Sequence, residues 1–184
     1  MFFVARATTD DIDGILHLHR LNLKANISDE EAQAEGFVSA EYNLESLTKI
    51  NEICPSIVAL DSNKIVVGYA LVVTREYYGS HDLLDDLFRS IDALSFKGEP
   101  LGNINYVVVG QLCVAKSFRG LGVVQKMYNF YRDELSREYL YCITDVASNN
   151  PRSLKSHTKS GFQVIDTKGY GGLTWYIVLW DWRI

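Results

Sequence analysis

The segment Arg119-Gly120-Leu121-Gly122-Val123-Val124 joins an apolar run over residues 106–114 to a stretch with helical periodicity. Apolar side chains then recur at i, i+3, i+4, i+7 and i+11, which predicts a strand, a glycine loop and an amphipathic helix. The N-terminus of a helix exposes backbone N–H groups, and glycine lets an anionic ligand approach them closely. The segment therefore predicts a phosphate-binding turn, although two glycines alone suit a plain tight turn equally well.

Similar patterns place the other elements. Strands are predicted over residues 4–7, 57–60, 65–73, 106–114, 139–146, 162–166 and 173–180. Helices are predicted over residues 12–23, 44–50, 83–91, 124–135 and 151–160, the last with Asn150 as N-cap and Pro151 at N1. The acidic stretch 29–35 is expected to be a link, and the long connection 77–105 a lid-like insertion. This order predicts an α/β (α+β) protein, a mixed sheet with helices on both faces.

Composition sets the class of protein. With 184 residues, 47% of them hydrophobic and 22% charged, the chain is long enough for one well-buried core, so we predict a single domain over residues 1–184. The formal net charge of -5 and the lack of a Lys/Arg block argue against nucleic acid as a partner. No run approaches the roughly 18 apolar residues of a membrane span, and residues 1–6 lead into no secretion signal. We expect a cytoplasmic protein without a membrane partner.

Cysteine and histidine patterns indicate no metal. Cys54, Cys113 and Cys142 lie far apart and form no C-x-x-C pair, so reduced structural thiols are expected. His17 and His19 are two residues apart on one helix and face different directions, which argues against a metal-binding pair. No metal is predicted.

The glycine loop matches neither of two common nucleotide-binding patterns. It lacks the Lys-Ser/Thr of G-x-x-x-x-G-K-[ST] and the third glycine of G-x-G-x-x-G. It instead resembles motif A of the GCN5-related N-acetyltransferases (GNAT), Gln/Arg-x-x-Gly-x-Gly/Ala, with Arg119, Gly122 and Val124 in the defined places. Val124 departs from the usual Gly/Ala. In that family the motif wraps the pyrophosphate of acetyl-CoA at a helix N-terminus, so the resemblance implies acetyl-CoA as the acyl donor.

A second landmark strengthens the resemblance, which spans nearly the whole chain. GNAT members often carry Asn, then Tyr seven residues later, then Gly-Phe. Asn150, His157 and Gly161-Phe162 keep that spacing, with histidine replacing tyrosine. The order of elements is also the family's. The resemblance implies an acyl-CoA N-acyltransferase fold with a mixed, mostly antiparallel central sheet.

The resemblance further implies which residues bind acetyl-CoA. In the family, the strand before the loop splays from its neighbour and pairs with the pantetheine arm through its main chain. The implied cofactor-binding residues are Leu112, Cys113, Val114, Arg119, Gly120, Leu121, Gly122, Val123, Val124, Asn150 and Ser153. For the three strand residues we expect main-chain binding and ordinary burial of the side chains. Arg119 is expected to pair with phosphate, and Asn150 and Ser153 also suit the first turn of a helix.

Aminolysis of a thioester needs a hydrogen-bond donor to the oxyanion, a general acid and a general base. A backbone N–H near Cys113 is the candidate oxyanion donor. His157 is the candidate general acid that protonates the departing thiolate. An equally weighted alternative is that His157 only packs beside the cofactor and transfers no proton. Many members carry a glutamate base where this chain reads Gly110-Gln111. Asp145, Glu76 or a water chain remain as candidates, and no base is assigned.

We predict an enzyme that transfers the acetyl group of acetyl-CoA to a primary amine of a small molecule or a protein. The alternative is a noncatalytic acyl-CoA-binding or sensing domain, which the missing tyrosine and glutamate favour. A third possibility is an interaction module that binds no CoA. Tyr77, Tyr78 and His81 are candidates for touching the substrate, and the exposed edge of the final aromatic strand permits a homodimer.

Overall fold

A computed structural model describes residues 1–183, and describes the side chains of all of these except 33–35. The strands are β1 (Phe2–Arg6), β2 (Ile57–Asp61), β3 (Val66–Val73), β4 (Ser95–Phe96), β5 (Glu99–Pro100), β6 (Tyr106–Val114), β7 (Tyr141–Ala147), β8 (Gln163–Tyr170) and β9 (Leu173–Asp181). The helices are α1 (Ile12–Asn22), α2 (Asp29–Glu35), α3 (Leu44–Ile53), α4 (Asp82–Asp92), α5 (Val123–Leu135) and α6 (Pro151–Lys159). Within this part of the chain, no helix is long and apolar enough to cross a bilayer.

Seven strands form one sheet in the order β1-β2-β3-β6-β7-β9-β8, and β4 and β5 form a separate hairpin. Neighbours in the large sheet are antiparallel except β6 and β7, which run parallel. The parallel register joins only residues 106–108 to residues 141–143. Past this short ladder the described strands are not paired with each other, so a gap opens in the middle of the sheet. The predicted mixed, mostly antiparallel sheet is confirmed.

Two hydrophobic layers cover the sheet because β3 sends alternate side chains to opposite faces. Tyr69, Leu71 and Val73 pack in the layer that contains the buried side chains of α1, α3 and α4. Ala70 and Val72 pack in the layer that contains those of α5. Helices therefore lie on both faces, as predicted.

The acidic stretch expected to be a link contains a helix, α2. The Oγ of Ser28 accepts the Glu31 N–H at 3.2 Å and so caps the helix. Acidic residues fill the first turn, where negative charge interacts favourably with the helix dipole. Periodicity does not reveal this helix because seven residues, mostly polar, are too few to display an apolar stripe.

The final hairpin is longer than predicted. Its turn consists only of Gly171 and Gly172, with φ of 59° and 75°, and a two-residue turn with positive φ suits the twist of a hairpin. Residues 168–170, expected in the turn, pair with β9 instead. Lys168 consequently stands on a strand directly opposite Trp175, and this position brings its ammonium group to the functional site.

Candidate active site

The loop between β6 and α5 has the backbone conformation that glycine allows. Gly120 and Gly122 have φ of 77° and 78°, and a Cβ on either would meet no atom within 4 Å. Glycine is therefore needed here for its positive φ rather than for lack of space. The first backbone hydrogen bond of α5 runs from the Lys126 N–H to the Gly122 carbonyl at 3.1 Å. The N–H groups of residues 123–125 have no acceptor within the helix, which leaves them for a ligand.

The guanidinium of Arg119 holds this loop against the end of α1. Its Nε donates to the Val114 carbonyl at 3.1 Å, and one Nη donates to Asn22 Oδ1 at 2.7 Å. Asn22 is itself buried and donates to the Leu18 carbonyl. The contacts described for Arg119 thus order the loop, while the expected pairing with phosphate stays a prediction.

A cleft of about 330 Å³, the main cleft, runs from this loop along β6 to α6. Every predicted cofactor-binding residue lines it except Leu121, whose side chain is mostly exposed, and His157 lines it too. Gly36 and Phe37 of the linking region also line it, and the sequence analysis missed the remaining lining residues, which are Asn22, Val38, Phe118, Gln125, Arg152, Ser156, Lys159 and Ser160. The structure therefore brings together three segments distant in sequence, which are the two predicted motifs and the link before α3.

The main chain of β6 faces this cleft at alternate residues. The Ala115 N–H donates to the Val67 carbonyl of β3 at 2.8 Å. Because hydrogen-bonded pairs alternate along an antiparallel ladder, the main chain of Cys113 also faces β3, and that of Leu112 and Val114 faces the main cleft. The Cys113 N–H itself is therefore directed to the neighbouring strand, and the expected oxyanion-stabilising N–H near Cys113 stays a prediction for an adjacent residue. The N–H groups of its two neighbours face the cleft instead.

The thiol of Cys113 is buried, and burial raises its pKa to about 12. A protonated thiol is a poor nucleophile. The side chain therefore has a packing role, in agreement with the expectation that only the main chain of this strand would bind.

Asn150 connects α6 to the link before α3. Its Oδ1 accepts the Ser153 N–H at 3.2 Å as an N-cap, and its Nδ2 donates to the Phe37 carbonyl at 3.0 Å. Both ends of the side-chain amide are thus used inside the protein. Asn150 and Ser153 line the main cleft, so their capping role and the expected contact with cofactor are compatible in position.

His157 is neutral in the folded protein. Its Nδ1 donates to the Ser153 carbonyl at 2.8 Å, and in the neutral ring Nε2 then carries no proton. Burial lowers its pKa to about 4, and its ring packs against Tyr128 and Phe162 with centroid distances of 5.6 and 5.2 Å. The charged form that a general acid requires is therefore disfavoured. This environment favours the packing alternative over the acid role.

A second cavity of about 70 Å³, the small cavity, adjoins the main cleft through the gap between β6 and β7. Six residues line both spaces: Phe37, Val38, Leu112, Asn150, Ser153 and His157. Polar groups in the small cavity include Gln111, Thr144 and Asp145, and its apolar wall includes Leu83 and Trp175. A molecule bound in the main cleft and another in the small cavity would meet at the six shared residues.

Asp145 is the carboxylate in the small cavity. Its Oδ2 lies 3.1 Å from Lys168 Nζ, which is an ion-pair distance. The angles between the two groups do not suit a hydrogen bond. Lys168 Nζ also lies 2.8 Å from Asp86 Oδ2. Burial raises the pKa of Asp145, and Lys168 opposes this shift. Glu76, the other carboxylate considered as a base, is exposed and lines neither space.

A buried network that the sequence analysis missed supports the wall of the small cavity. Gln111 Oε1 accepts from His19 Nδ1 at 3.0 Å and from the Tyr69 hydroxyl at 2.5 Å, while its Nε2 donates to the Ala40 carbonyl at 3.0 Å. His19 Nε2 accepts the Tyr42 N–H at 3.2 Å, which fixes the neutral tautomer. Burial lowers the pKa of His19. Gln111 therefore holds β6 to α1 and to the segment before α3.

Three residues expected near the substrate lie elsewhere. Tyr77 is buried in the core, and Tyr78 packs its ring against Phe88. His81 places Nε2 3.1 Å from the Glu41 carbonyl. Tyr77, Tyr78 and His81 line neither the main cleft nor the small cavity. The expectation that they touch substrate is therefore not supported.

The sequence matches no protein-family model and no curated protein, whereas many solved structures are similar. A GNAT family acetyltransferase from Streptococcus agalactiae has a TM-score of 0.70 at 16% identity, covering 98% of this chain and 95% of that chain. A phosphinothricin acetyltransferase from Sinorhizobium meliloti, in complex with acetyl-CoA, has a TM-score of 0.64 at 16% identity, covering 98% and 88%. A chain of the NatC complex bound to Gag peptide and CoA has a TM-score of 0.67 at 13% identity, covering 98% of both chains.

These similarities define the fold. The chain has the same acyl-CoA N-acyltransferase fold as these structures, and the predicted fold class is confirmed. At such low identity the likeness concerns architecture and does not extend to activity.

Proposed function

We propose that this protein is an acetyltransferase that moves the acetyl group of acetyl-CoA to a primary amine. The observation that carries the proposal is the meeting of two spaces at the gap in the sheet. The main cleft ends in a helix N-terminus suited to phosphate, and the small cavity holds a buried carboxylate suited to an amine. The bound CoA and acetyl-CoA in the NatC and S. meliloti structures support the choice of donor.

The residues of the main cleft suit the parts of acetyl-CoA. The unpaired N–H groups at the start of α5 would receive the pyrophosphate. The cleft-facing main chain of Leu112 and Val114 would pair with the pantetheine amides as a neighbouring strand would. Val124 is half-buried in the first turn, and its backbone N–H stays available.

The chemistry would take place where the two spaces join. The amine nitrogen would attack the thioester carbonyl carbon, and negative charge would develop on the carbonyl oxygen. The N–H group of Leu112, which lines both spaces, is the donor that faces this position. The nitrogen then loses its proton, the C–S bond breaks, and the sulfur leaves as the thiol of CoA.

Calorimetry with acetyl-CoA tests the donor site. Gly122→Glu places a carboxylate at the helix N-terminus, and we expect it to weaken binding by about 100-fold, or ~2.7 kcal/mol. Gly98→Glu is the matched control because Gly98 also has positive φ, at 83°, and open space around it, but it lies in the β4–β5 hairpin. Equal binding by wild type and Gly122→Glu would contradict the donor site and would favour an interaction module that binds no CoA.

Thiol release with a panel of amines tests the transfer. An amine-dependent rise in free CoA thiol supports the enzyme. The second candidate, a noncatalytic acyl-CoA sensor, is favoured by the neutral His157 and by Gln111 being committed to a structural network. A sensor would bind acetyl-CoA in the calorimeter and release no thiol with any amine, so the two measurements together separate the candidates.

A further inference from the structure

The small cavity presents a carboxylate, and its described lining residues include no cation that would pair with an acidic ligand. Asp145 lines it, and none of the described residues on its wall is lysine or arginine. A ligand with a carboxylate beside its amino group would bury that carboxylate next to Asp145, which is costly. A ligand that presents only an ammonium group would find a partner.

Lys168 lies near the small cavity but is already paired with carboxylates of the protein. Its Nζ lies between two carboxylates, 2.8 Å from Asp86 Oδ2 and 3.1 Å from Asp145 Oδ2. Its side chain is only 8% exposed. The lysine is therefore engaged in orienting Asp145, and the three side chains together carry one net negative charge.

The Asp86–Lys168 ion pair also limits the size of the acceptor. Asp86 belongs to α4, which contributes Leu83 to the cavity wall, and Lys168 belongs to the hairpin that contributes Trp175. The ion pair thus ties together two walls of a cavity of about 70 Å³. An extended polypeptide would have to separate these walls, whereas a small amine would not.

We propose that Asp145 binds the ammonium group of the acceptor and accepts its proton, and that the acceptor is a small amine with no carboxylate next to its amino group. This inference rests on the proposed acetyl transfer. The ammonium gives one proton to the Asp145 carboxylate, and the resulting amine attacks the thioester carbonyl carbon. The nitrogen passes its second proton to the departing sulfur, so the products are the amide, CoA thiol and a carboxylic acid that returns its proton to water.

Matched acceptors test the substrate class. Thiol release is measured with phenethylamine and phenylalanine, and with butylamine and norvaline, pairs that differ by the carboxylate. We expect kcat/KM to be at least about 100-fold higher for each amine than for its amino acid. Phenylalaninamide should recover most of this loss, and a tetrapeptide with a free N-terminus should be poor. Preference for the amino acids or for the peptide would overturn the inference.

Variants test the residue. Asp145→Asn should lower kcat/KM for phenethylamine at least about 100-fold while the Kd for acetyl-CoA changes less than about twofold. Asp166→Asn, at an exposed position on β8, is the matched control and should behave as wild type. Unchanged turnover in Asp145→Asn contradicts the inference alone. Absence of thiol release by wild type with every amine contradicts the proposed function and the inference with it.

The pH profile separates proton acceptance from a structural role. Lys168→Met should move the acidic limb of kcat/KM to higher pH, because Lys168 stabilises the carboxylate of Asp145. The other groups around Asp145 are Asp86 on α4, Tyr42 before α3 and His157 on α6. An acidic limb that stays in place in Lys168→Met, or persists in Asp145→Asn, would refute the base role.

Discussion

Replacing His157 with phenylalanine removes an imidazole whose pKa is lowered by burial to about 4. In an unfolded chain the pKa of histidine is about 6.5. Between these values the unfolded chain binds a proton that the folded protein does not, so the free energy of unfolding decreases as the pH falls. From the two pKa values, the destabilisation from His157 is negligible at pH 7, about 2 kcal/mol at pH 5 and about 3 kcal/mol well below pH 4.

Urea unfolding at pH 7 and pH 5 measures this contribution. Wild type should lose about 2 kcal/mol more than His157→Phe between the two pH values. Loss of the hydrogen bond to the Ser153 carbonyl lowers the stability of the variant at both pH values and cancels in the comparison. His17→Gln, a change at an exposed histidine of α1, is the control and should follow wild type. Equal losses in wild type and His157→Phe would refute the argument.

The same variant tests the catalytic alternative. Because His157 is neutral above pH 5 and its Nδ1 proton is held by Ser153, His157→Phe should keep the wild-type pH dependence of kcat for thiol release. A basic limb in kcat that is present in wild type and absent from His157→Phe would instead establish His157 as the general acid.

Three further changes examine the surroundings of the site. Arg119→Leu should weaken acetyl-CoA binding by about 10-fold through loss of loop order; calorimetry at two salt concentrations checks this, and a strong salt dependence that disappears in the variant would instead indicate contact with phosphate. Gln111→Glu removes the donor to a buried carbonyl and should lower the free energy of unfolding by about 1–3 kcal/mol in urea, whereas Gln163→Glu on exposed β8 should not. Cys113→Ala should retain thiol release, and the native Cys113 should resist alkylation at neutral pH until the protein is unfolded.

Much of the fold follows from periodicity because long elements repeat their pattern many times. The unit formed by β6, the glycine loop and α5 is predicted at almost its observed bounds. Short elements are different. The α2 helix depends on the Ser28 cap, and β4 and β5 have two residues each, so neither displays a measurable period.

The site is predictable only where local geometry determines it. The loop conformation at Gly122 and the N-cap at Asn150 both follow from the residues next to them in sequence. Whether the Cys113 N–H faces the cleft depends on its register with β3, which periodicity does not specify. The pKa of His157 depends on burial by residues from two other elements. These long-range relations are absent from any single segment of sequence.

The positions of Gln111 and Asp145 are best understood together. At the position on β6 where the N-acetyltransferases that the sequence resembles often carry a glutamate, this chain has Gln111, and an amide suits the network because it accepts from His19 and donates to the Ala40 carbonyl at once. A carboxylate at that position would leave the carbonyl without a donor. The carboxylate of this chain lies across the gap, on β7, where Lys168 can reach it. If Asp145 accepts the proton of the acceptor's ammonium group, the acceptor must approach from the β7 side. The choice of acceptor then depends on the two cavity walls, from α4 and from the β8–β9 hairpin, that Lys168 ties together.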